Sequence, residues 1–170
     1  TEDGSESYNI FSSNFIAKVW GDGTNQSSEA GNGIWMRDPN NYLRDNVVAN
    51  ARGVAPNTAF GYNFQFRYLG NICVPNFKGA DMAQCTNYNG NAMPLREFAR
   101  NEAYGALDVG LTLWWVGTID TNPIATATTS TVTDFRAWHF SSSGFLLYPT
   151  SKLLIDGYVA RGNKVDIADP

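Results

Sequence analysis

Residues 58–70 read TAFGYNFQFRYLG, and the spacing of their aromatic rings sets the first expectation about the fold. Phe60, Tyr62, Phe64, Phe66 and Tyr68 recur at every second position, with Gly61, Asn63, Gln65 and Arg67 between them. Period-2 alternation belongs to an extended strand with one apolar and one polar face. The stretch ALDVGLTLWWVGTID repeats it, with Leu107, Val109, Leu111, Leu113 and Trp115 on one side and Asp108, Gly110 and Thr112 opposite. VTDFRAWHF and SKLLIDGYVARG read as two further strands, separated by the turn-like SSSG and by Pro149. Nearer the start, FIAKVW and GIWMR flank GDGTNQSSEAGNG, a long polar segment with the composition of a hairpin loop.

Helical signals are scarce. MPLREFARNEAYG carries Pro94 at a first-turn position, Leu95 and Phe98 on one stripe and Gly105 as a stop, and is the best helix candidate. DPNNYLRDNVVANA offers one or two further turns. Strands punctuated by Gly, Asn and Pro, without a βαβ rhythm, predict an all-β fold: an antiparallel β-sandwich of jelly-roll or Greek-key type with one or two short helices. No internal repeat and no linker stands out.

Composition agrees with a β-rich domain. Charged residues make up 16% of the chain, below the usual quarter, so Asn, Thr, Ser and Gly carry the polarity. A net charge of −4 without a Lys/Arg cluster argues against nucleic acid and anionic membranes, which require a basic footprint. No apolar run is long enough to span a bilayer as a helix. The chain begins at Thr1 with neither Met nor a signal segment, the start expected of a mature secreted protein.

Catalytic patterns are missing. His139 is the single histidine, set in the apparent strand FRAWHF, with no nucleophile elbow, zinc-protease helix or phosphate loop beside it. It reads as a strand residue packed between Trp138 and Phe140, and the chain reads as a non-enzyme. Asp22, Glu29 and Asp120 lie in Asn- and Gly-rich stretches and supply hard oxygen ligands suited to calcium; the same residues are ordinary turn formers. No other cofactor is expected. Cys73 and Cys85, twelve residues apart across Gly, Pro and Asn, can close a loop without strain. A disulfide there contributes about 3 kcal/mol by loop-closure entropy, the alternative being two buried thiols. Asn25 begins a glycosylation triplet. Trp114 and Trp115 are neighbours and point to opposite strand faces, so one of them is available to a sugar ring, a second layer or another subunit.

The start of the chain poses a separate question. TEDGSES has the composition of a frayed terminus, yet Tyr8, Ile10, Phe11, Phe15 and Ile16 follow at once. The order of Asn9, Phe11, the small step Ser12-Ser13-Asn14 and the strand FIAKVW resembles the mature N-terminus of the camelysin/TasA family of secreted, fibre-forming proteins. Val54, Pro56-Asn57, Phe60 to Tyr68 and Gly70-Asn71 resemble that family's second strand-entry pattern. Asn14 and Asn57 stand where the family prefers Gly. The low charge and the two cysteines are closest to archaeal members, the bundling pili or cannula-like tubes.

The resemblance implies an extracellular, cell-surface subunit that polymerises head to tail by donor-strand complementation. Residues 1–12 would be the donated segment, with Ser7, Tyr8, Asn9, Ile10 and Phe11 at the subunit interface, and residues 13–170 one sandwich domain; the alternatives for residues 1–12 are pairing as the first strand of their own sheet, or disorder. An extended segment would satisfy the unpaired backbone groups of a neighbouring sheet, in a transfer that propagates as an open homopolymer. The alternative is a secreted jelly-roll carbohydrate-binding or adhesion module using Trp114 or Trp115.

Overall fold

The computed structural model describes residues 6–21, 31–53, 59–65, 71–73, 87–89, 93–117, 128–148 and 150–162. These residues form strands, turns and bends, with no helix among them. The strands are β1 (Ile10–Ser12), β2 (Phe15–Trp20), β3 (Ile34–Met36), β4 (Tyr42–Arg44), β5 (Val47–Arg52), β6 (Tyr62–Gln65), β7 (Asn71–Cys73), β8 (Asn87–Asn89), β9 (Glu97–Ala99), β10 (Glu102–Tyr104), β11 (Val109–Trp114), β12 (Ser130–Thr133), β13 (Arg136–Trp138), β14 (Ser143–Tyr148), β15 (Leu153–Asp156) and β16 (Val159–Arg161).

Successive strands do not pair with one another, apart from β7 and β8. The first sheet has the order β1-β4-β9-β12-β15, the second β2-β5-β10-β13-β16, and the third β3-β6-β11-β14. Every pairing in these three sheets is parallel. The chain therefore visits the three sheets in turn and returns to the first, one coil above the last: a three-sided parallel β-helix. The β7–β8 pair is antiparallel and is inserted between the second and third coils.

The antiparallel sandwich expected from the sequence is thus incorrect. Alternation identifies a strand but does not identify its partner. A parallel neighbour ordinarily needs a long crossover, and here the crossover is made of the strands of the other two sheets. The expected helix at MPLREFARNEAYG is instead β9 and β10, and DPNNYLRDNVVANA is β4 and β5. FIAKVW and the following IWM lie in different sheets, so they do not form a hairpin. The coils are themselves structural repeats, and their unequal length is why no period stands out in the sequence.

A two-residue corner joins the first sheet to the second in all five coils. Ser13, Asp45, Arg100, Asp134 and Gly157 occupy its first position, each with φ between 50° and 78°. One left-handed residue turns the chain, and the next points inward. Asn14, Asn46 and Asn101 fill that second position in the first three coils and form an amide ladder. Asn14 donates from its backbone N (3.1 Å) and Nδ2 (2.8 Å) to Asn46 Oδ1. Asn46 donates in the same way, at 3.0 and 2.9 Å, to Asn101 Oδ1. Its Nδ2 also donates to the Phe11 carbonyl, as Asn101 Nδ2 does to that of Leu43. In the last two coils Phe135 and Tyr158 replace asparagine and stack at 5.9 Å with 7° between their planes. The same corner is filled first by stacked amides and then by stacked rings.

Inside, residues of like character lie above one another. Phe11, Leu43, Phe98 and Val132 form one row, Ile34, Tyr62, Leu111 and Phe145 another. Tyr62 packs edge-on against Phe98 and Phe135. Its buried hydroxyl lies 2.8 Å from the Asn46 carbonyl and 3.1 Å from that of Glu102. Gly61 and Gly110 allow the second and third sheets to meet. A Cβ on Gly110 would lie 2.6 Å from the Gly144 carbonyl oxygen and 2.9 Å from Ala137 Cβ. In the third sheet β6 and β11 are buried on both sides: Phe60, Tyr62 and Phe64 are buried as the alternation predicts, yet Asn63, Gln65 and Thr112 in the other phase are buried too. The expected wet face of this strand is therefore not wet.

Candidate functional site

Among the described residues, the side chains on the outer face of the second sheet form aligned rows, all but Ala49 exposed or half-buried. Phe15, Val47, Glu102, Arg136 and Val159 make the row beside the corner. Ala17, Ala49, Tyr104, Trp138 and Arg161 make the next, and Trp20 beside Arg52 extends the face at the first two coils. The inward position between these two rows is taken by Ile16, Val48, Ala103, Ala137 and Ala160, so the flanking residues must point out.

Large rings are exposed on this face: Phe15 is 72% accessible, Trp20 65% and Tyr104 45%. Between them Ala17 and Ala49 leave a low floor. Arg52 lies over the Trp20 ring at 5.7 Å and Arg161 over Trp138 at 5.3 Å. His139, exposed just after β13, stands edge-on to Tyr104 at 5.1 Å. With strands about 4.8 Å apart, the five rungs give a face roughly 19 Å long. The sheet fixes the spacing of the backbone positions that carry these rings and cations.

At the corner, Asp45, Val47, Arg100, Asn101, Glu102, Asp134 and Arg136 line a cleft of about 410 Å³. Arg100 is bound through Nε and an Nη to the two carboxylate oxygens of Asp45, at 2.7 and 2.9 Å. This bidentate contact holds the Asp45 carboxyl below the usual carboxylate range. It also ties together two left-handed corner residues of neighbouring coils.

The residues picked out from the sequence are dispersed. Ser7 Oγ donates to Asp38 Oδ2 at 2.8 Å, and Tyr8 N donates to the Asn40 carbonyl at 2.8 Å. The Tyr8 ring lies under Arg96 at 4.5 Å. Asn9 donates from N and Nδ2 to Asn41 Oδ1, Ile10 is exposed opposite Tyr42, and Phe11 packs against the core. This segment is thus paired with the second coil of its own chain. Trp114, the last residue of β11 in the third sheet, and Trp115 after it are half-buried, Trp114 tilted against Tyr148 at 5.2 Å, and neither joins the second-sheet face. His139 is exposed, contrary to the packed strand position expected for it. Cys73 ends β7, whereas Cys85, and with it the expected disulfide, lies outside the described residues. Asp22, Glu29, Asp120 and Asn25 also lie outside them. Among the described residues no group of three or more His, Cys, Asp or Glu side chains is placed to hold a metal, and no helix is long and apolar enough to cross a membrane.

Sequence reasoning overlooked the face itself, although a signal for it exists. RNEAY, DFRAW and GYVAR each give a left-handed residue, an inward residue, an outward residue, an inward Ala and an outward ring or arginine. No family model, curated protein or solved structure matches the chain. The architecture itself defines the class to which the site belongs, a parallel β-helix with an exposed aromatic face.

Proposed function

We propose that this chain is an extracellular binding module, not an enzyme, that holds an extended glycan across the rungs of its second sheet. The observation that carries this reading is the set of exposed rings, Phe15, Trp20 and Tyr104, around the low floor of Ala17 and Ala49. Clustered exposed aromatics on one face mark a surface that a partner covers, and apolar sugar faces stack on such rings. A polymer whose repeat is of the same order as the rung spacing can meet equivalent groups along its length.

The filament reading rests on the family resemblance and requires residues 1–12 to leave the molecule. Those of them that are described are engaged with β4 and the turn before it, and donating them would sacrifice those bonds first. The binding reading needs no such rearrangement, which is why it is preferred.

Titration of intrinsic tryptophan fluorescence with soluble polysaccharides tests the proposal. At least one polymer should shift the emission saturably, and Trp20→Ala combined with Tyr104→Ala should weaken that binding about tenfold or more, at about 1–3 kcal/mol per lost anchor. A folded protein that responds to no polysaccharide, or a double variant that binds as well as the parent, refutes it.

A further inference from the structure

Charge is distributed unevenly over the three sheets. The strands of the third sheet carry no charged residue, and those of the first carry Arg44, Glu97 and Asp156. The strands of the second carry Lys18, Arg52, Arg136 and Arg161 against the single carboxylate of Glu102. The most cationic face thus belongs to a chain whose net charge is −4.

Within that face the charges separate again. The carboxylates Glu102, Asp134 and Asp45 line the corner cleft, together with Arg100 and Arg136. The side away from the corner, from Trp20 and Arg52 through Tyr104 and Trp138 to Arg161, bears no carboxylate in its rows. Lys18, exposed at a left-handed position in β2, lies between Ala17 and Trp20 in the sequence of that strand.

On the reading just given, we infer that the glycan is an acidic polysaccharide, a polyuronate, lying on the carboxylate-free side of the face. Its carboxylates meet the Arg52 and Arg161 guanidiniums, and its sugar faces lie on Tyr104 and on the side of Trp20 that Arg52 leaves exposed. Arginine is suited to this task because its planar fork binds a carboxylate bidentately while its face stays on an aromatic ring. Both guanidiniums already lie over rings, Trp20 and Trp138, so their donors are oriented before the ligand arrives. A neutral polymer would bring these cations no counter-charge, and at the corner Asp45, Glu102 and Asp134 already balance Arg100 and Arg136, so that half of the sheet offers a polyanion no free cation.

The experiment uses the intact chain with polygalacturonate, with the same polymer after reduction of its carboxyl groups to alcohols, and with a single-stranded oligonucleotide as a non-sugar polyanion. Polygalacturonate should bind, more weakly as salt rises, and the reduced polymer should bind at least about tenfold less well. Arg52→Gln with Arg161→Gln should cost about tenfold or more in affinity for polygalacturonate. Arg136→Gln, on the corner side, should cost less than about twofold by the same scale. All three positions lie on the outer face, and an unchanged thermal midpoint verifies that the variants fold. Equal binding of the reduced polymer overturns the acidic-ligand inference and leaves the glycan reading standing. Binding of the oligonucleotide as tight as that of the polyuronate also overturns it, in favour of unspecific charge attraction. Failure of both sugar polymers to bind overturns the polyuronate inference, whereas the glycan reading falls only if the wider polysaccharide titration is blank as well.

Discussion

Replacing Asn46 by alanine removes the central rung of the amide ladder, and its cost can be worked out from the bonds that rung makes. The side chain is fully buried. Its Oδ1 accepts from Asn14 N and Nδ2, and its Nδ2 donates to the Phe11 carbonyl and to Asn101 Oδ1. Four hydrogen bonds are lost, each with a net contribution of about 1 kcal/mol, and a buried group left without a partner adds about 1–3 kcal/mol. The damage is not the full sum. Asn101 Oδ1 keeps the Asn46 backbone N–H, and the exposed Asn14 can turn to water. The expected loss is about 3–5 kcal/mol, a large share of the roughly 5–15 kcal/mol that holds a typical domain. Asn14→Ala is the control, because it stands at the exposed end of the same ladder; its expected cost is about 1 kcal/mol. Urea unfolding followed by far-ultraviolet circular dichroism should show the difference as a shift of midpoint with little change of slope. If Asn46→Ala costs no more than Asn14→Ala, the ladder does not hold the coils together and the reasoning is wrong.

Two further outcomes follow from buried groups elsewhere. Burial raises the Asp38 carboxyl from its ordinary 3.8 to about 6, against the opposing hydrogen bonds from Asn40 N and Ser7 Oγ. The folded value exceeds the unfolded one, so this contribution is fully present below about pH 4, declines as pH rises to about 6 and is flat above, a change on the order of 2–3 kcal/mol. Asp38→Asn should remove that slope from urea midpoints measured across the range, and an identical slope in the variant would count against the assignment. Gly110→Ala places a methyl group against the Gly144 carbonyl and Ala137, neither of which can swing aside. Overpacking of this kind costs about 1–3 kcal/mol, and calorimetry should show a midpoint lower by about 2–4 °C per kcal/mol.

The strand at Tyr62–Gln65 was legible because alternation of Phe60, Tyr62 and Phe64 reports directly which side chains lie on one side of an extended backbone. The inward positions of Leu111 and Leu113 were legible for the same reason. The corner at Arg100-Asn101 was not, since a left-handed arginine has no strong sequence signal and PLREFARNEAYG satisfies helical spacing equally well. Arg100 adopts φ 52° in a setting where Asp45, a corner residue of the preceding coil, anchors its guanidinium. The ladder asparagines were likewise hidden, because they lie 32 and 55 residues apart, and coils of such unequal length present no fixed period.

Where alternation is strict, as at Tyr62–Gln65 and Val109–Trp114, the strand and one of its buried faces are set by neighbours one or two residues away, and the sequence alone determined them. The parallel stacking, the closing of three sheets around one core and the gathering of Trp20, Arg52, Tyr104, Trp138 and Arg161 on a single face depend on residues dozens of positions apart. Backbone hydrogen bonding is the same for any strand partner. Only the packing of whole coils, amide on amide and ring on ring, selected the partners, and that selection belongs to the tertiary structure.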